Sequence, residues 1–312
     1  MIVDVHGHLF PAAYLDRLAA LGHPDAETVR RIGASDRDDD LHARLELMDR
    51  AGVDVQVVSP SSLVPDIGDA RSAANAAQLG NESYTAVVAR HPGRLAAFAV
   101  LPLPHVDAAI AEAERALGLP GIVGFAVTSS VAGRSIADPS FEPLFAALDA
   151  RRAVLFVHPA GVAAGSPLIT SAGLSWVIGA PVEDTVAAVH LIARGIPARF
   201  PGLRIVIPHL GGDMPLLLRR LDAQFPRFVP GAPEAPSAAV RRMWFDTVCH
   251  ANGPALRAAI DVLGRDRLVL GTDFPYLRGD AFAAEVDVVR SAGRDAEAIL
   301  GRSAANLLGL AA

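Results

Sequence analysis

The chain opens with Met1-Ile2-Val3-Asp4-Val5-His6-Gly7-His8-Leu9-Phe10, an apolar run that ends in two histidines separated by one glycine. This pattern predicts a short β-strand. Residues i and i+2 of a strand point to the same face, so we expect His6 and His8 to direct both imidazoles towards one point. Two imidazoles on an apolar strand otherwise need two buried hydrogen-bond partners, or they are solvated at the N-terminus. Gly7 lets another group approach the backbone closely.

Composition narrows the class of protein. The 312 residues suffice for two small domains or one α/β barrel, and 51% of them are apolar. A net charge of −6 argues against a general nucleic-acid-binding protein. The single cysteine, Cys249, excludes an internal disulfide and suits a reducing cytoplasm. We expect no transmembrane segment and no signal peptide, and hence no membrane partner.

Short apolar runs alternate with amphipathic segments along the whole chain. The predicted strands are Ile2–Val5, Val53–Ser59, Leu95–Leu101, Ile122–Val127, Val154–His158, Arg204–Pro208, Met243–Val248 and Leu268–Gly271. The predicted helices are Leu41–Ala51, Ala70–Arg90, Val106–Leu117, Phe141–Arg151, Val182–Ala193, Met214–Phe225, Pro254–Leu263 and Phe282–Ala292, followed by a C-terminal extra helix, Asp295–Leu308. Strands that alternate with helices indicate parallel βαβ units.

Eight such units predict a single α/β domain over residues 1–312, a (β/α)8 TIM barrel. A doubly wound open sheet is the alternative, but no G-x-G-x-x-G follows the first strand to favour a dinucleotide fold. Two connections are longer than a barrel requires: the long loop after strand one, Phe10–Asp40, and Pro159–Pro181, which contains Trp176. Both follow a strand, so we expect them to act as lids or pocket walls.

The candidate functional residues lie at predicted strand ends, where a barrel places its active site. Strand one ends in His6 and His8, strand five in His158, strand six in His209 and strand eight in Asp273. Any single histidine is more often structural than functional. Four of the ten histidines at the ends of three strands, with an aspartate on a fourth, indicate a metal site.

Imidazole nitrogens and a carboxylate oxygen suit a borderline divalent ion such as zinc, which keeps an open position for water and lowers its pKa towards about 7. We predict four ligands for one ion: His6, His8, His158 and Asp273. His209 is the predicted base, because Leu210-Gly211-Gly212 after it leaves open backbone for a substrate. The alternative that His209 also binds the ion stays open.

These residues resemble the amidohydrolase superfamily. The local motifs are similar to the branch that contains aminocarboxymuconate-semialdehyde decarboxylase and the resorcylate-type decarboxylases. The matching segments span nearly the whole chain: Leu47–Val53, Val157–Pro159, His209–Pro215, Phe245–Thr247 and Leu270–Pro275. All 28 basic residues are arginines, so the carboxylated lysine that bridges two metals in other members cannot form, and the resemblance implies a single ion. It implies zinc or manganese, a homodimer and a small carboxylic acid as substrate.

The resemblance also implies roles for residues outside the metal site. His6-x-His8 is closer to the semialdehyde decarboxylase than to the Glu-x-His of many resorcylate-type members. Arg220 corresponds to an arginine that reaches the substrate carboxylate of a neighbouring subunit, and Trp176 to a pocket wall. Phe274 is a candidate for stacking on an aromatic substrate. Candidates for a second carboxylate-binding arginine are Arg30, Arg31 and Arg37.

The leading functional hypothesis is a metal-dependent, non-oxidative decarboxylase of an aromatic or dienoic acid, in which His209 or Asp273 manages the proton. The alternative is a hydrolase of an amide, lactone or C–C bond that uses the same activated water. Arginines placed on a substrate carboxylate would favour decarboxylation, and a pocket without them would favour hydrolysis. A non-catalytic metal-binding protein is the third hypothesis, against which the intact ligand set argues.

Overall fold

The computed structural model describes residues 1–310. Eight parallel strands form one sheet in chain order: β1 (Val3–His8), β2 (Val55–Ser59), β3 (Leu95–Val100), β4 (Ile122–Thr128), β5 (Val154–His158), β6 (Arg204–Ile207), β7 (Trp244–Asp246) and β8 (Leu268–Val269). The chain after β8 returns to β1, since Val5 N donates to Leu270 O at 2.8 Å and Asp273 N donates to His6 O at 2.8 Å. The predicted (β/α)8 TIM barrel is confirmed. A single domain over 1–312 stays a prediction, and its last two residues lie outside the described part.

Helices follow the strands and cover the outside of the barrel. The longer ones are Ala12–Ala20, Asp38–Ala51, Ala70–Arg90, Val106–Ala116, Glu142–Ala150, Ala180–Ala193, Met214–Phe228, Gly253–Leu263 and Asp280–Arg290. Shorter helices are Pro167–Thr170, Ile196–Arg199, Pro236–Ala239 and Ser303–Leu308. The sheet is buried on both faces, which explains why its strands are apolar throughout and do not alternate.

The barrel interior forms an apolar core beneath the carboxyl ends of the strands. Its largest side chains are Phe98 and Phe156, whose rings stack with centroids 5.4 Å apart. Strand β1 carries a register shift between Asp4 and Gly7. Val5 therefore packs in this core, and His6 still turns inward, with its ring 5.1 Å from that of Phe156.

The long connection after β1 differs from its prediction as a loop. It contains the helix Ala12–Ala20 and a 3₁₀ turn, Val29–Arg31. The helix buries Tyr14, Leu15 and Leu18, a spacing too short to stand out as a periodic pattern. The connection Pro159–Pro181 is also partly helical.

The C-terminal extra helix is present but interrupted. Ala298–Arg302 forms a wider π-helical turn before the α-helix Ser303–Leu308. Gly301 lies in this turn directly against the backbone of Met1, where a side chain would not fit. The helix predicted over Asp295–Leu308 is therefore not regular, because its backbone widens where Gly301 packs against Met1.

One apolar helical segment bears on the expectation of no transmembrane segment. Ser175–Ala193 is long and apolar enough to cross a membrane by length and composition, and half of it is buried inside the fold. It includes the outer barrel helix Ala180–Ala193, whose buried side chains pack on the sheet. Such burial is what a core helix shows, so this segment is weak evidence for a membrane span.

Candidate functional site

Four predicted ligands converge at the carboxyl ends of the strands. His6, His8, His158 and Asp273 each offer one ligand atom, and these atoms lie within 4.8 Å of one another. The Nε2 atoms of His6 and His8 are 3.0 Å apart, and Asp273 Oδ1 lies 3.0 Å from the latter and 3.3 Å from the former. The separations of 3.0 and 3.3 Å are those of atoms that share one ion at about 2.1 Å. Three imidazoles and a carboxylate therefore fit a divalent ion.

Hydrogen bonds on the far side of the rings fix their orientation. His158 Nδ1 donates to the backbone oxygen of Pro159 at 2.9 Å, which leaves Nε2 with a free lone pair. His8 Nδ1 shares a hydrogen bond of 2.9 Å with Ser59 Oγ. Partners of this kind hold the ring nitrogen of a metal-binding histidine towards the ion.

Asp246, which lies in the matching segment Phe245–Thr247, connects two parts of the site. Its Oδ2 accepts a hydrogen bond of 2.7 Å from His6 Nδ1. Its Oδ1 accepts the backbone N–H groups of His209 at 2.9 Å and Val248 at 3.0 Å. Asp246 is fully buried at the end of β7. Its position at a strand end was the signal in the sequence that could have revealed it.

The charges of the cluster favour a cation. Burial lowers the pKa of His8 to about 4, and it holds the pKa of His158 well below the usual range. Burial alone would raise the pKa of Asp273, but the imidazole of His6 outweighs it, and the pKa lies well below its usual value. For His6, the carboxylates of Asp246 and Asp273 outweigh burial and raise the pKa. Neutral imidazoles and an ionised carboxylate are the forms that bind metal, so a bound ion would replace the proton that these carboxylates favour on His6.

His209 stands beside the ligands on a tight turn after β6. Its φ of 51° is left-handed, which is uncommon for a residue with a side chain. Its Nδ1 donates to Asp184 Oδ2 at 2.8 Å, and its Nε2 lies 4.0 Å from Asp273 Oδ2. Burial raises the pKa of Asp184 to about 7. Sequence analysis did not single out Asp184, because it lies within the helix Ala180–Ala193, away from any strand end.

A buried polar network lies behind β1. A Cβ on Gly7 would stand 2.6 Å from Gln56 Cδ, so the close approach predicted at this glycine comes from a side chain of β2. Gln56 Nε2 donates to Asp4 Oδ2 at 2.6 Å. Arg44 donates to Gln56 Oε1 and to the backbone oxygen of His8. The network therefore holds the backbone of one metal-site histidine from outside the barrel.

A cavity of about 590 Å³ opens above these residues. We call the four candidate metal ligands and the predicted base the floor: His6, His8, His158, His209 and Asp273. We call the exposed rim of the cavity the mouth: Trp176, Val177, His250 and Tyr276. The ring centroid of Trp176 lies 6.5 Å from that of His158, so the tryptophan spans from mouth to floor.

Comparison with known proteins identifies the family. The amidohydrolase family model matches residues 3–310. The chain belongs to the amidohydrolase family. The resemblance inferred from the sequence motifs is thereby confirmed.

The curated relatives of this amidohydrolase include several decarboxylases. It is 25% identical to 2-amino-3-carboxymuconate-6-semialdehyde decarboxylase of Dictyostelium discoideum, over 99% of this chain and 91% of that protein. It is 30% identical to gamma-resorcylate decarboxylase of Rhodococcus jostii strain RHA1, over 75% and 76% of the two chains. Both kinds of decarboxylase named for the branch are thus represented among its relatives.

Solved structures agree with the fold. The 5-carboxyvanillate decarboxylase of Sphingomonas paucimobilis is 27% identical, with a TM-score of 0.82 over 99% of both chains. A dihydroxybenzoic acid decarboxylase of Polaromonas sp. JS666, solved with bound manganese and an inhibitor, is 23% identical, with a TM-score of 0.82 over 99% of this chain and 97% of that one. The family and the four converging donors support a divalent metal in this amidohydrolase.

Two predicted substrate contacts lie away from the cavity of this amidohydrolase. Phe274 is buried, with the guanidinium of Arg44 4.3 Å from its ring centroid and its edge against Phe282. Arg220 is exposed on the helix Met214–Phe228. Neither is among the described residues that line the cavity. The position of Phe274 favours packing over the predicted stacking on a substrate.

The arginines of the first long connection do not reach the cavity of the same chain. Arg30 donates to Asp16 at 2.8 Å and to Glu27 at 3.0 Å, and both Arg31 and Arg37 are exposed. Within residues 1–310, no arginine lines the cavity.

Two buried glutamates hold the loops that form the mouth. Glu183 accepts hydrogen bonds of 2.6 Å from the backbone N–H groups of Ala160 and Ala163. Glu285 accepts those of Cys249 at 3.0 Å and Ala251 at 2.6 Å, and burial raises its pKa to about 7. Sequence analysis missed both, because their partners are backbone groups of loops that come close only in the folded barrel.

Proposed function

We propose that this amidohydrolase is a metal-dependent, non-oxidative decarboxylase of an aromatic or dienoic carboxylic acid. The proposal rests on the floor and on the mostly apolar cavity above it. The floor offers four metal donors together with His209, which is hydrogen-bonded to Asp184. The decarboxylases among the relatives of the chain support it.

His6, His8, His158 and Asp273 are the proposed ligands of one divalent ion. Their imidazole nitrogens and single carboxylate suit zinc, and the manganese in the Polaromonas relative makes manganese the alternative. A bound ion would neutralise the negative charge of the substrate and polarise its oxygen atoms.

The two oxygens of Asp273 face different neighbours. Oδ1 lies with the imidazoles of His6 and His8, whereas Oδ2 faces His209 Nε2 at 4.0 Å. Asp273 can therefore bind the ion through Oδ1 and take part in proton transfer through Oδ2. In our proposal, the C–C bond to the carboxylate breaks, its electron pair stays on the substrate carbon, and the proton carried by His209 completes the product, directly or through Asp273 Oδ2, as carbon dioxide leaves.

Asp184 positions His209 for this task. The carboxylate of Asp184 accepts a hydrogen bond from His209 Nδ1, and this leaves Nε2 directed at the cavity. Burial lowers the pKa of His209, but Asp184 outweighs this effect and raises it above the usual value. The raised pKa keeps a proton available beside Asp273 at neutral pH.

Hydrolysis is the second candidate, and one observation favours it. The described residues that line the cavity include no arginine to hold a substrate carboxylate. A water activated at the same floor could instead attack a carbonyl group, with His209 as the base. Both reactions use the same residues, with His209 protonated for decarboxylation and unprotonated for hydrolysis.

Product analysis separates the two candidates. Purified, metal-loaded protein is incubated with a panel of hydroxybenzoic and dienoic acids, and carbon dioxide release is followed. The same protein is incubated with amides, lactones and diketones that have a cleavable C–C bond beside the carbonyl group, and hydrolysis is followed. We expect carbon dioxide from at least one acid. Hydrolysis of the second panel without any carbon dioxide from the first would overturn the decarboxylase proposal.

We also propose a cytoplasmic homodimer that acts on a small carboxylic acid, with no nucleic-acid or membrane partner. Leu216 and Phe228, on the helix that carries Arg220, are 76% and 66% exposed, which suits a surface covered by a second subunit. We expect light scattering to give twice the chain mass, and Leu216→Glu to lower it. A monomer at all concentrations would contradict this proposal.

A further inference from the structure

The connection Pro159–Pro181, which carries Trp176, is tied back on itself by one buried carboxylate. Glu183 lies on the helix that follows this connection and is 2% exposed, but its backbone partners lie at the start of the connection. We call residues 160–164 the first turn. We propose that Glu183 is a positioning residue that holds the first turn and thereby fixes Trp176 beside the floor. This inference deepens the proposed function and rests on it only for the effect on KM.

Both oxygens of the Glu183 side chain accept hydrogen bonds. Oε1 accepts the backbone N–H of Ala163 at 2.6 Å, and Oε2 accepts that of Ala160 at 2.6 Å. The hydroxyl of Ser129, just after β4, also donates to Oε2 at 2.6 Å. A carboxylate offers acceptors on both sides, whereas an amide of the same size would direct an NH₂ group at one set of donors. Three donors around one side chain therefore require a glutamate and not a glutamine.

The backbone of the first turn is strained and needs such support. Ala163 and Ala164 have φ angles of 50° and 51°, in the left-handed region that residues with a side chain rarely adopt. Conformations of this kind persist where the surrounding structure holds them. Within residues 160–164 only Ala163 is buried, so packing alone gives the turn little support. We therefore expect the first turn to relax when the Glu183 carboxylate is removed.

The ring of Trp176 rests on the first turn. A Cβ on Gly161 would stand 2.6 Å from Trp176 Cζ2, so the ring lies directly on the backbone of this glycine. The tryptophan belongs to the π-helical turn Ser175–Gly179, and a Cβ on Gly179 would stand 2.8 Å from that of Ala163. The two turns thus meet at two points where only glycine fits. A shift of the first turn would move the ring, whose centroid lies 6.5 Å from that of a candidate metal ligand.

Tryptophan fluorescence tests the proposal without metal or substrate. The chain has two tryptophans, so Trp244→Phe leaves Trp176 as the only emitter. Time-resolved anisotropy is measured in this background with and without Glu183→Gln. We expect the indole to rotate with the whole protein before the second substitution and to gain a fast component after it. An indole that rotates with the whole protein in both cases would overturn the proposal.

Glu285→Gln, in the same Trp244→Phe background, is the matched control. Glu285 is also buried and also accepts two backbone N–H groups, but these belong to Cys249 and Ala251 on another connection. We expect no fast component for Trp176 in this variant. An equal fast component in both glutamine variants would mean that the barrel loosens as a whole, and it would refute a specific role of Glu183.

Gly179→Ala tests the same contact with Glu183 intact, and it decides the matter if circular dichroism shows that Glu183→Gln does not fold. Gly179 has a helical φ of −64° and ψ of −41°, so alanine suits its backbone. The added Cβ would press against Ala163 and separate the two turns. We expect the same fast component for Trp176. A ring that stays fixed in Gly179→Ala would contradict the proposed support by the first turn.

Kinetics distinguish this inference from the decarboxylase proposal. We expect Glu183→Gln to raise KM about 3–10-fold with kcat nearly unchanged, as for Trp176→Ala, and the double variant to show no further rise. Additive effects of the two substitutions would overturn the positioning role. A released Trp176 in a protein that produces no carbon dioxide from any acid would refute the reaction and leave the role of Glu183 standing.

Discussion

The floor and the mouth of the cavity are built in opposite ways. At the floor, His6 and His8 are fully buried, and each ring has a hydrogen-bond partner that fixes its orientation. At the mouth, Trp176 is 55% exposed and Tyr276 is 50% exposed, and both belong to connections between elements. The comparison teaches that the ends of the strands position the candidate metal ligands, whereas the loops determine which substrates reach them.

The largest effect should come from removing a ligand. We expect His158→Ala to lose its metal and to lower kcat/KM by roughly 1000-fold or more. Loss of one main electrostatic element of an active site has a cost of this order. The measurement is metal content per chain together with carbon dioxide release. The control is His42→Ala, an exposed histidine on the helix Asp38–Ala51. Full metal occupancy in His158→Ala would show that the floor is not the metal site.

The next effect concerns the thiol near the mouth. Burial raises the pKa of Cys249 from 9.0 to about 12, so the thiolate fraction at pH 8 falls by about 1000-fold. Since this is the only cysteine, iodoacetamide labelling reports on it alone. We expect labelling of the folded protein to be about 1000-fold slower than in denaturant. Rates within tenfold of each other would mean that this side of the cavity is open and polar.

Substitution of Asp246 tests whether metal binding at the floor depends on the residues that hydrogen-bond to the ligands. Asp246→Asn removes the negative charge that holds His6, and such losses cost about 10–100-fold in metal affinity. Competition with a chromophoric chelator measures this affinity. Asp261→Asn, on the exposed side of the helix Gly253–Leu263, is the matched control. Equal affinities in the two variants would leave Asp246 without the proposed role.

The smallest effect is expected at the mouth. Trp176→Ala removes one aromatic contact of about 0.5–1.5 kcal/mol, so KM should rise about 3–10-fold with kcat nearly unchanged. Leu168→Ala, another exposed apolar residue of the same connection, serves as the control. A fall in kcat similar to that of His158→Ala would remove the distinction between floor and mouth.

Much of the barrel and its floor followed from the sequence for a physical reason. Parallel strands bring their carboxyl ends to one face, so residues at those ends meet even when they lie far apart in the chain. The ends of strands were less predictable. Strand β1 continues to His8 because it pairs with β2 up to Ser59. Strand β8 stops at Val269, since Leu270 N donates to Ile299 O in the C-terminal turn and not to a neighbouring strand.

The supporting residues could not be predicted in the same way. Asp184 and Gln56 act through side chains whose partners lie on other elements, and nothing local in the sequence marks them. The orientation of Arg30 did have a local signal, because Glu27 stands three residues before it at the spacing of an ion pair. Phe274 follows a metal-site residue directly, but the left-handed φ of 56° at Asp273 turns the chain there, and Phe274 is not among the residues that line the cavity.

Metal analysis before and after chelation tests the central claim most directly. We expect about one zinc or manganese ion per chain of purified protein, carbon dioxide release from an aromatic acid, loss of that release on chelation and its return when the ion is restored. A protein that binds no divalent metal even after reconstitution would contradict the account, because the five residues of the floor would then have another purpose.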